Sequence, residues 1–100
     1  MASPYTVGIW TAKPGRADEF VAAWTEFATW TKSAVQGTTW VKLLRDRDDP
    51  NRFVSVGPWD SLESIEAWRA NEGWAERVGR IKELLAGFEA ITLDAAVEID

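Results

Sequence analysis

Four stretches of the chain have the character of a β-strand: three alternate along their length with a period of two, and the stretch 38–47 places apolar residues on both sides. They are residues 5–10, 38–47, 53–57 and 91–99. The last is the most regular, because an apolar side chain stands at every second position from Ile91 to Ile99. Pro58 ends the third strand, since proline has no N–H to donate to a neighbouring strand. The polar residues 46–52 between the second and third strands predict a hairpin turn.

Between the strands, apolar side chains recur every three or four residues, which predicts helices. The first helix begins at Arg16 and ends within residues 32–37, and its apolar stripe includes Trp24. The last begins at Trp74 and ends at Gly87, because glycine suits the left-handed conformation that often closes a helix. The chain therefore has a helical segment on each side of the predicted hairpin.

The helix after the third strand has a clear start signal. Asp60 suits the N-cap, and Glu63, three residues on, can complete a capping box. Its apolar stripe consists of Leu62, Ile65 and Trp68. Asn71 and Gly73 interrupt it before the last helical segment. This pattern places the Trp68 indole on the inner face of the helix.

The element order is β-α-β-β-α-β, which predicts an α+β fold of the ferredoxin-like kind in a single domain, residues 1–100 with a core at about 5–99. Its helices cover one face of a four-stranded antiparallel sheet. The other face carries large apolar side chains, and soluble monomers seldom expose a wide apolar patch. We therefore expect a homodimer whose sheets face one another. The pattern does not decide which side chains of each strand look at the helices.

Composition excludes several classes of partner and location. The chain of 100 residues has a formal net charge of -5 and no run of Lys or Arg, which argues against a nucleic-acid partner. No apolar run approaches the ~20 residues of a membrane span, and the N-terminus lacks the features of a signal peptide. We expect a cytoplasmic protein with no membrane partner.

Histidine and cysteine are both absent. Their absence removes disulfides, the common zinc and haem ligands, and Ser-His or Cys-His nucleophiles. The densest carboxylate group consists of Asp46, Asp48 and Asp49, but Pro50 and Asn51 follow it, so a hairpin turn is favoured over a metal site. The sequence predicts no metal and no cofactor.

The central segment VGPWDSLESIEAW, with EGW after it, resembles the antibiotic biosynthesis monooxygenase (ABM) domain family. The resemblance extends over the whole element order, from about Tyr5 to Ile99. It implies that two chains pair into a dimeric α+β barrel. Known activities of the family include cofactor-independent oxidation of polyketide anthrones to quinones and degradation of haem, and many members have no established activity.

The resemblance transfers unequally to individual positions. Trp68 in EAWR occupies the place of an inner tryptophan found in both enzyme groups. Four residues earlier, quinone-forming members resemble one another in an asparagine, where this chain has Ser64. The haem-degrading members have a histidine about where Val78 stands and an asparagine near Gly8, and both are missing. The resemblance therefore implies the oxygenase activity and excludes haem cleavage.

The resulting hypothesis is a slot between helices and sheet that binds a small hydrophobic or aromatic ligand. Its predicted residues are Trp68, Trp74 and Trp24 as walls, Gly8 and Gly57 as positions that leave room above the sheet, and Ser64 as the holder of a substrate oxygen. Arg69 or another nearby charge would stabilise a substrate anion, although the spacing does not single it out. Catalytic residues stay unknown at this point.

Two other interpretations stay open. One is a non-catalytic dimeric barrel that binds a small hydrophobic molecule. The other is a purely structural dimer whose interior is filled by its own side chains, since large aromatic residues at helical spacing are usually core residues.

Overall fold

The computed structural model describes residues 3–100. Its elements are β1 (Pro4–Ala12), α1 (Ala17–Ala34), β2 (Lys42–Arg45), β3 (Arg52–Pro58), α2 (Leu62–Ala70), α3 (Glu72–Lys82) and β4 (Leu85–Asp94). The strands form one antiparallel sheet in the order β2-β3-β1-β4 with the helices on one face, which confirms the predicted ferredoxin-like α+β fold. Within residues 3–100, no helix has the length and apolarity needed to cross a bilayer.

The register of the three longer strands settles which side chains face the helices. Because side chains alternate between the two faces of a sheet, residues paired across strands form rows on one face. The helix-facing rows are Phe53-Trp10-Phe88, then Ser55-Gly8-Ala90, then Gly57-Thr6-Thr92. We call the first the packed row and the other two the small rows. Large aromatic side chains thus support one half of the helix layer, and small side chains lie under the other half.

The main core lies over the packed row. Phe20 of α1 is fully buried, with its ring centroid 5.5 Å from that of Trp10 and 4.9 Å from that of Phe53. Ile81 of α3 is also fully buried in this cluster. Burying such side chains stabilises a fold by roughly 1.5–3 kcal/mol each. This half of the molecule therefore carries much of the hydrophobic stabilisation.

Two predicted strands have different boundaries in the structure. The last strand was expected at residues 91–99 but runs from Leu85 to Asp94, and Gly87, expected to cap a helix, pairs with Thr11 inside it. The paired register with β1 ends at Pro4 and Asp94, and beyond it the N–H of Ala95 donates to the carbonyl of Ser3 at 3.0 Å. The second strand, expected at residues 38–47, is limited to β2.

The helix starts also differ in detail. Ser61, not Asp60, is the N-cap of α2, because its hydroxyl accepts the N–H of Ser64 at 3.1 Å. The backbone N–H of Asp60 instead donates to the carbonyl of Gly37 at 2.7 Å. Asn71 separates α2 from α3, and its side chain accepts the N–H of Gly73 at 2.8 Å, so the predicted interruption is confirmed.

The acidic cluster forms the turn between β2 and β3. Asp46 Oδ1 accepts the backbone N–H of Asp48 at 2.8 Å, and Asp49 Oδ1 accepts that of Asn51 at 3.0 Å. Among residues 3–100, no three acidic side chains are grouped so as to hold a metal ion. The carboxylates thus organise the hairpin backbone, as the sequence predicts.

Candidate ligand cavity

A cavity lies between the small rows and the helices. Its enclosed volume is about 70 Å³, and the wider space of about 640 Å³ around it includes open solvent at its mouth. Its walls are mainly aromatic and include Trp10, Trp24, Phe27, Trp59, Trp68 and Trp74. An apolar concavity with a few polar groups is the usual form of a small-molecule site.

The floor of the cavity is formed by the small rows. Gly8, Ser55 and Ala90 line it from one row, and Thr6 and Gly57 line it from the next. A large side chain in these rows would fill the cavity, just as Trp10 and Phe53 fill the corresponding space above the packed row. The small size of Ser55, Ala90 and Thr6 therefore leaves space between these rows and the helices.

The two glycines act by permitting close approach, which differs from the role predicted for them. A Cβ built on Gly8 would lie 2.6 Å from Trp10 Nε1 and 2.8 Å from Ser55 Oγ. A Cβ on Gly57 would lie 2.9 Å from the backbone oxygen of Trp40. Both residues line the cavity, but the volume beside them is already taken by neighbouring groups.

Trp68 is held as a wall by contacts on several sides. Its ring centroid is 5.0 Å from that of Trp59, 5.7 Å from that of Phe27 and 6.1 Å from that of Trp74. Its Nε1–H donates to Thr31 Oγ1 at 3.0 Å. Because the N–H of Trp68 already donates to Thr31, the part of Trp68 that could contact a ligand is the face of its ring.

The indole N–H groups around the cavity are not equally satisfied. Trp10 donates to Ser55 Oγ and Trp59 donates to Thr6 Oγ1, each at 2.9 Å. Trp74 Nε1 is buried and has no acceptor among the described residues. A buried donor without a partner costs about 1–3 kcal/mol. Trp74 therefore contributes its ring to the wall of the cavity, while its N–H is buried without a partner in the described part of the chain.

Ser64 does not line the cavity, in contrast to the other residues predicted for the slot. Its hydroxyl is 3.1 Å from the hydroxyl of Ser61, within the N-terminal cap of α2. A Cβ on Gly37 would come within 2.9 Å of Ser64 Oγ, so this side chain faces the loop after α1. A small hydroxyl residue near an N-cap is recruited by the backbone, and the predicted contact with a substrate oxygen has no support in this geometry.

Arg69 is a lining residue that the spacing alone did not identify. It follows Trp68 on α2, is half-buried, and its Nη2 lies 3.4 Å from Thr92 Oγ1 on β4. No other charged side chain lines the cavity within residues 3–100. The only sequence signal for Arg69 was its position next to Trp68. That signal is weak, because adjacent side chains on a helix point about 100° apart.

The comparisons with known proteins agree with this architecture. Residues 5–80 match the family model described as antibiotic biosynthesis monooxygenase. The fold is similar to that of SnoaB, a cofactor-independent oxygenase from Streptomyces nogalater, with a TM-score of 0.89 and 20% identity over 99% of this chain and 98% of that chain. It is also similar to PA3566 from Pseudomonas aeruginosa, with a TM-score of 0.82 and 18% identity over 97% of each chain.

No curated protein matches the chain. At these identities the structural likeness establishes the fold, and the family model covers more than half of the sequence. The chain belongs to the antibiotic biosynthesis monooxygenase family.

Proposed function

We propose that this protein is a cofactor-independent monooxygenase that oxidises a polycyclic aromatic or phenolic, polyketide-like substrate with molecular oxygen. The observation that carries the proposal is the aromatic cavity over the small rows, with Arg69 as its charged lining residue among residues 3–100. Membership of the family and the fold shared with SnoaB support the same activity.

The proposed reaction converts an activated methylene into a carbonyl. Loss of a proton from the CH₂ group gives an enolate, which passes one electron to O₂. The resulting radical and superoxide combine into a peroxide, and protonation followed by loss of water leaves the carbonyl, so that R₂CH₂ and O₂ become R₂C=O and H₂O. The substrate itself is the reductant, so this balance requires no cofactor.

The cavity can assist proton loss by stabilising the enolate oxygen. No carboxylate lines it within the described residues, so the proton leaves to solvent at the open mouth. The half-buried guanidinium of Arg69 can donate to the developing oxyanion, and donors aimed at such charge in an apolar site are effective catalysts. The indole side chains of the cavity walls exclude water from the aromatic rings of the bound substrate.

Oxygen uptake with an anthrone as substrate tests the proposal. Trp68→Phe removes the indole that Thr31 positions, so the rate of uptake should fall by about tenfold or more, on the order of 1.4 kcal/mol in the barrier. Trp30→Phe is the matched control, since Trp30 stacks under the Arg77 guanidinium, 4.7 Å from it, and does not line the cavity. Equal rates in the two variants, or no uptake by the wild type, would reject the enzymatic reading.

The second candidate is a barrel that binds a hydrophobic ligand without turnover. The position of Ser64 in the α2 cap favours it, because no side chain reaches the cavity from the place where the quinone-forming relatives resemble one another. Quenching of tryptophan fluorescence by aromatic ligands without oxygen uptake would support this candidate. The third interpretation, an interior filled by its own side chains, predicts that no aromatic ligand binds, and the enclosed volume of about 70 Å³ is compatible with it.

We also propose a cytoplasmic homodimer in which the two sheets meet through the faces turned away from the helices. That face carries Val7 and Ile9 of β1, with Leu44 and Leu93 exposed by 52% and 48% at its borders. Light scattering at micromolar concentration should give twice the 11.2 kDa of one chain. A mass of one chain would refute the dimer, and cell fractionation checks the location.

A further inference from the structure

We propose that the ligand of this cavity carries an anionic group at one edge of its aromatic ring system, and that Arg69 binds that group. The inference rests on the proposed function, in that it assumes an aromatic ligand in the cavity. It adds the charge of the ligand and the residue that recognises this charge.

The position of Arg69 is the first argument. α2 carries it on the helix side of the cavity, and its Nη2 reaches to 3.4 Å from Thr92 Oγ1 on the opposite side. Thr92 belongs to the outer small row, and β4 is an edge strand of the sheet. The guanidinium therefore lies at the β4 edge of the cavity, where the lining residue Ala90 is exposed to solvent. A ligand whose rings lie among the indoles would place its outer edge there.

The lack of an internal counter-ion is the second argument. Among residues 3–100, the ion pairs of arginine involve Arg16, Arg52 and Arg80, and none involves Arg69. Arg45 and Arg77 lie over aromatic rings instead. A half-buried guanidinium beside apolar walls, with one long contact to a hydroxyl, keeps most of its five N–H donors for another partner.

The chemistry of the guanidinium defines the class of group. Its planar fork matches two oxygens of a carboxylate or sulfonate, and it also stabilises a single phenolate oxygen. The lining within the described residues has no carboxylate that would repel an anion. Ligand rings therefore find apolar contacts inside the cavity, and the anionic group finds Arg69 at the mouth.

Two fluorescent probes that differ in one charged group test this inference. 8-Anilinonaphthalene-1-sulfonate is anionic, and N-phenyl-1-naphthylamine has the same ring system without the sulfonate. In titrations of the intact protein, Arg69→Gln should weaken binding of the sulfonate probe by about 10-fold to 100-fold, as expected for a hydrogen bond to a charged group. Binding of the neutral probe should change by less than about twofold, because apolar burial does not depend on the charge.

Three controls make the result interpretable. Arg80→Gln removes an equal charge from α3, where Arg80 pairs with Glu76 at 2.6 Å, and should leave both probes unaffected. Arg69→Lys keeps the charge but not the fork, so it should recover part of the affinity for the sulfonate probe. Ala90→Phe fills the mouth and should weaken both probes.

Each outcome decides a different point. Binding of the neutral probe together with sulfonate affinity that is unchanged in Arg69→Gln would overturn the role of Arg69 and leave the aromatic cavity in place. Equal weakening of both probes by Arg69→Gln would also overturn it, since the residue would then be structural. Failure of both probes to bind the wild type, or binding that persists in Ala90→Phe, would count against the cavity and the proposed function together.

Discussion

The two halves of the helix-facing side of the sheet differ in one property, the size of the residues that pair across it. The packed row brings Trp10, Phe53 and Phe88 together, and Phe20 fills the space above them. In the small rows the paired positions hold glycine, alanine, serine and threonine, and the same helix layer leaves a cavity. Both halves use the same three strands and the same helices. The packed core and the floor of the cavity therefore lie on different rows of one sheet, although Trp10 and Phe88 of the packed row also line the cavity.

The largest expected effect is loss of stability in the packed half. Phe20→Ala removes a fully buried ring that contacts Trp10 and Phe53, and such truncations cost about 3–5 kcal/mol. Denaturant unfolding followed by circular dichroism measures the loss. Ala22→Gly, at an exposed α1 position, serves as the control and should cost only about 1 kcal/mol. A loss for Phe20→Ala no greater than that of Ala22→Gly would show that the packed row does not carry the fold.

The next effect is loss of ligand affinity in the open half. Ala90→Phe puts a ring into a small row at an exposed position, so the fold should persist while affinity for an aromatic ligand falls on the order of 100-fold, about 2.7 kcal/mol. Ala22→Phe adds the same ring on the outer side of α1 and should leave the affinity unchanged. Equilibrium titration by tryptophan fluorescence provides the measurement. Unchanged affinity in Ala90→Phe would show that ligands bind elsewhere.

A smaller effect is expected where the two halves meet. Gly8→Ala adds a Cβ 2.6 Å from Trp10 Nε1, and buried Trp10 has no room to move, so overpacking should cost about 1–3 kcal/mol. Gly79→Ala is the matched control, because nothing lies within 4 Å of its added methyl on α3 and alanine favours a helix by about 1 kcal/mol. Thermal unfolding should therefore shift in opposite directions. A shift in the same direction would refute the close approach at Gly8.

The smallest effect concerns the hairpin that closes the packed half. The backbone N–H of Asp48, with a further contribution from Arg52 at 3.2 Å, lowers the pKa of Asp46 below its ordinary value. A lowered pKa in the folded state adds stability above the unfolded pKa of about 3.9, and this stability is lost as the pH falls through the folded pKa.

Asp46→Asn should therefore lower the unfolding midpoint slightly at pH 7, and the difference from the wild type should vanish in acid. Glu66→Gln, an exposed carboxylate of α2, is the control. A difference that persists below the pKa of Asp46 would point to the hydrogen-bond geometry of the side chain, with its charge playing no part.

The fold could be predicted from the sequence because the spacing of apolar residues within each strand and helix indicates the type of element. The inner position of Trp68 followed from its place in the apolar stripe of α2. The small rows could not be predicted, because the cavity depends on which residue of β1 pairs with which residue of β3 and β4. This register is a relation between strands, and the sequence of a single strand does not determine it. Ser64 was misplaced for a different reason: the backbone of the helix start competes for its hydroxyl.

Arg69 shows the same limit from the helix side. Its role depends on its distance from Thr92, 23 positions away along the chain, and no local spacing contains that information. The same holds for the unpaired N–H of Trp74, which is recognised only when the acceptors around it have been located. Contacts between residues far apart in sequence determine these two features, whereas the local pattern of apolar residues determines the helices that carry Arg69 and Trp74.

The contacts of Trp68 with Trp59, whose ring is tilted against it at 5.0 Å, and with Trp74, which meets it edge to ring at 6.1 Å, also give the protein an optical property. Indoles this close exchange excitation energy, so light absorbed by one is emitted after sharing among the three. A change in the spacing of these indoles changes the wavelength and lifetime of the tryptophan emission, so no added label is needed to detect it. The tryptophan emission therefore reports on the packing of the rings beside the cavity.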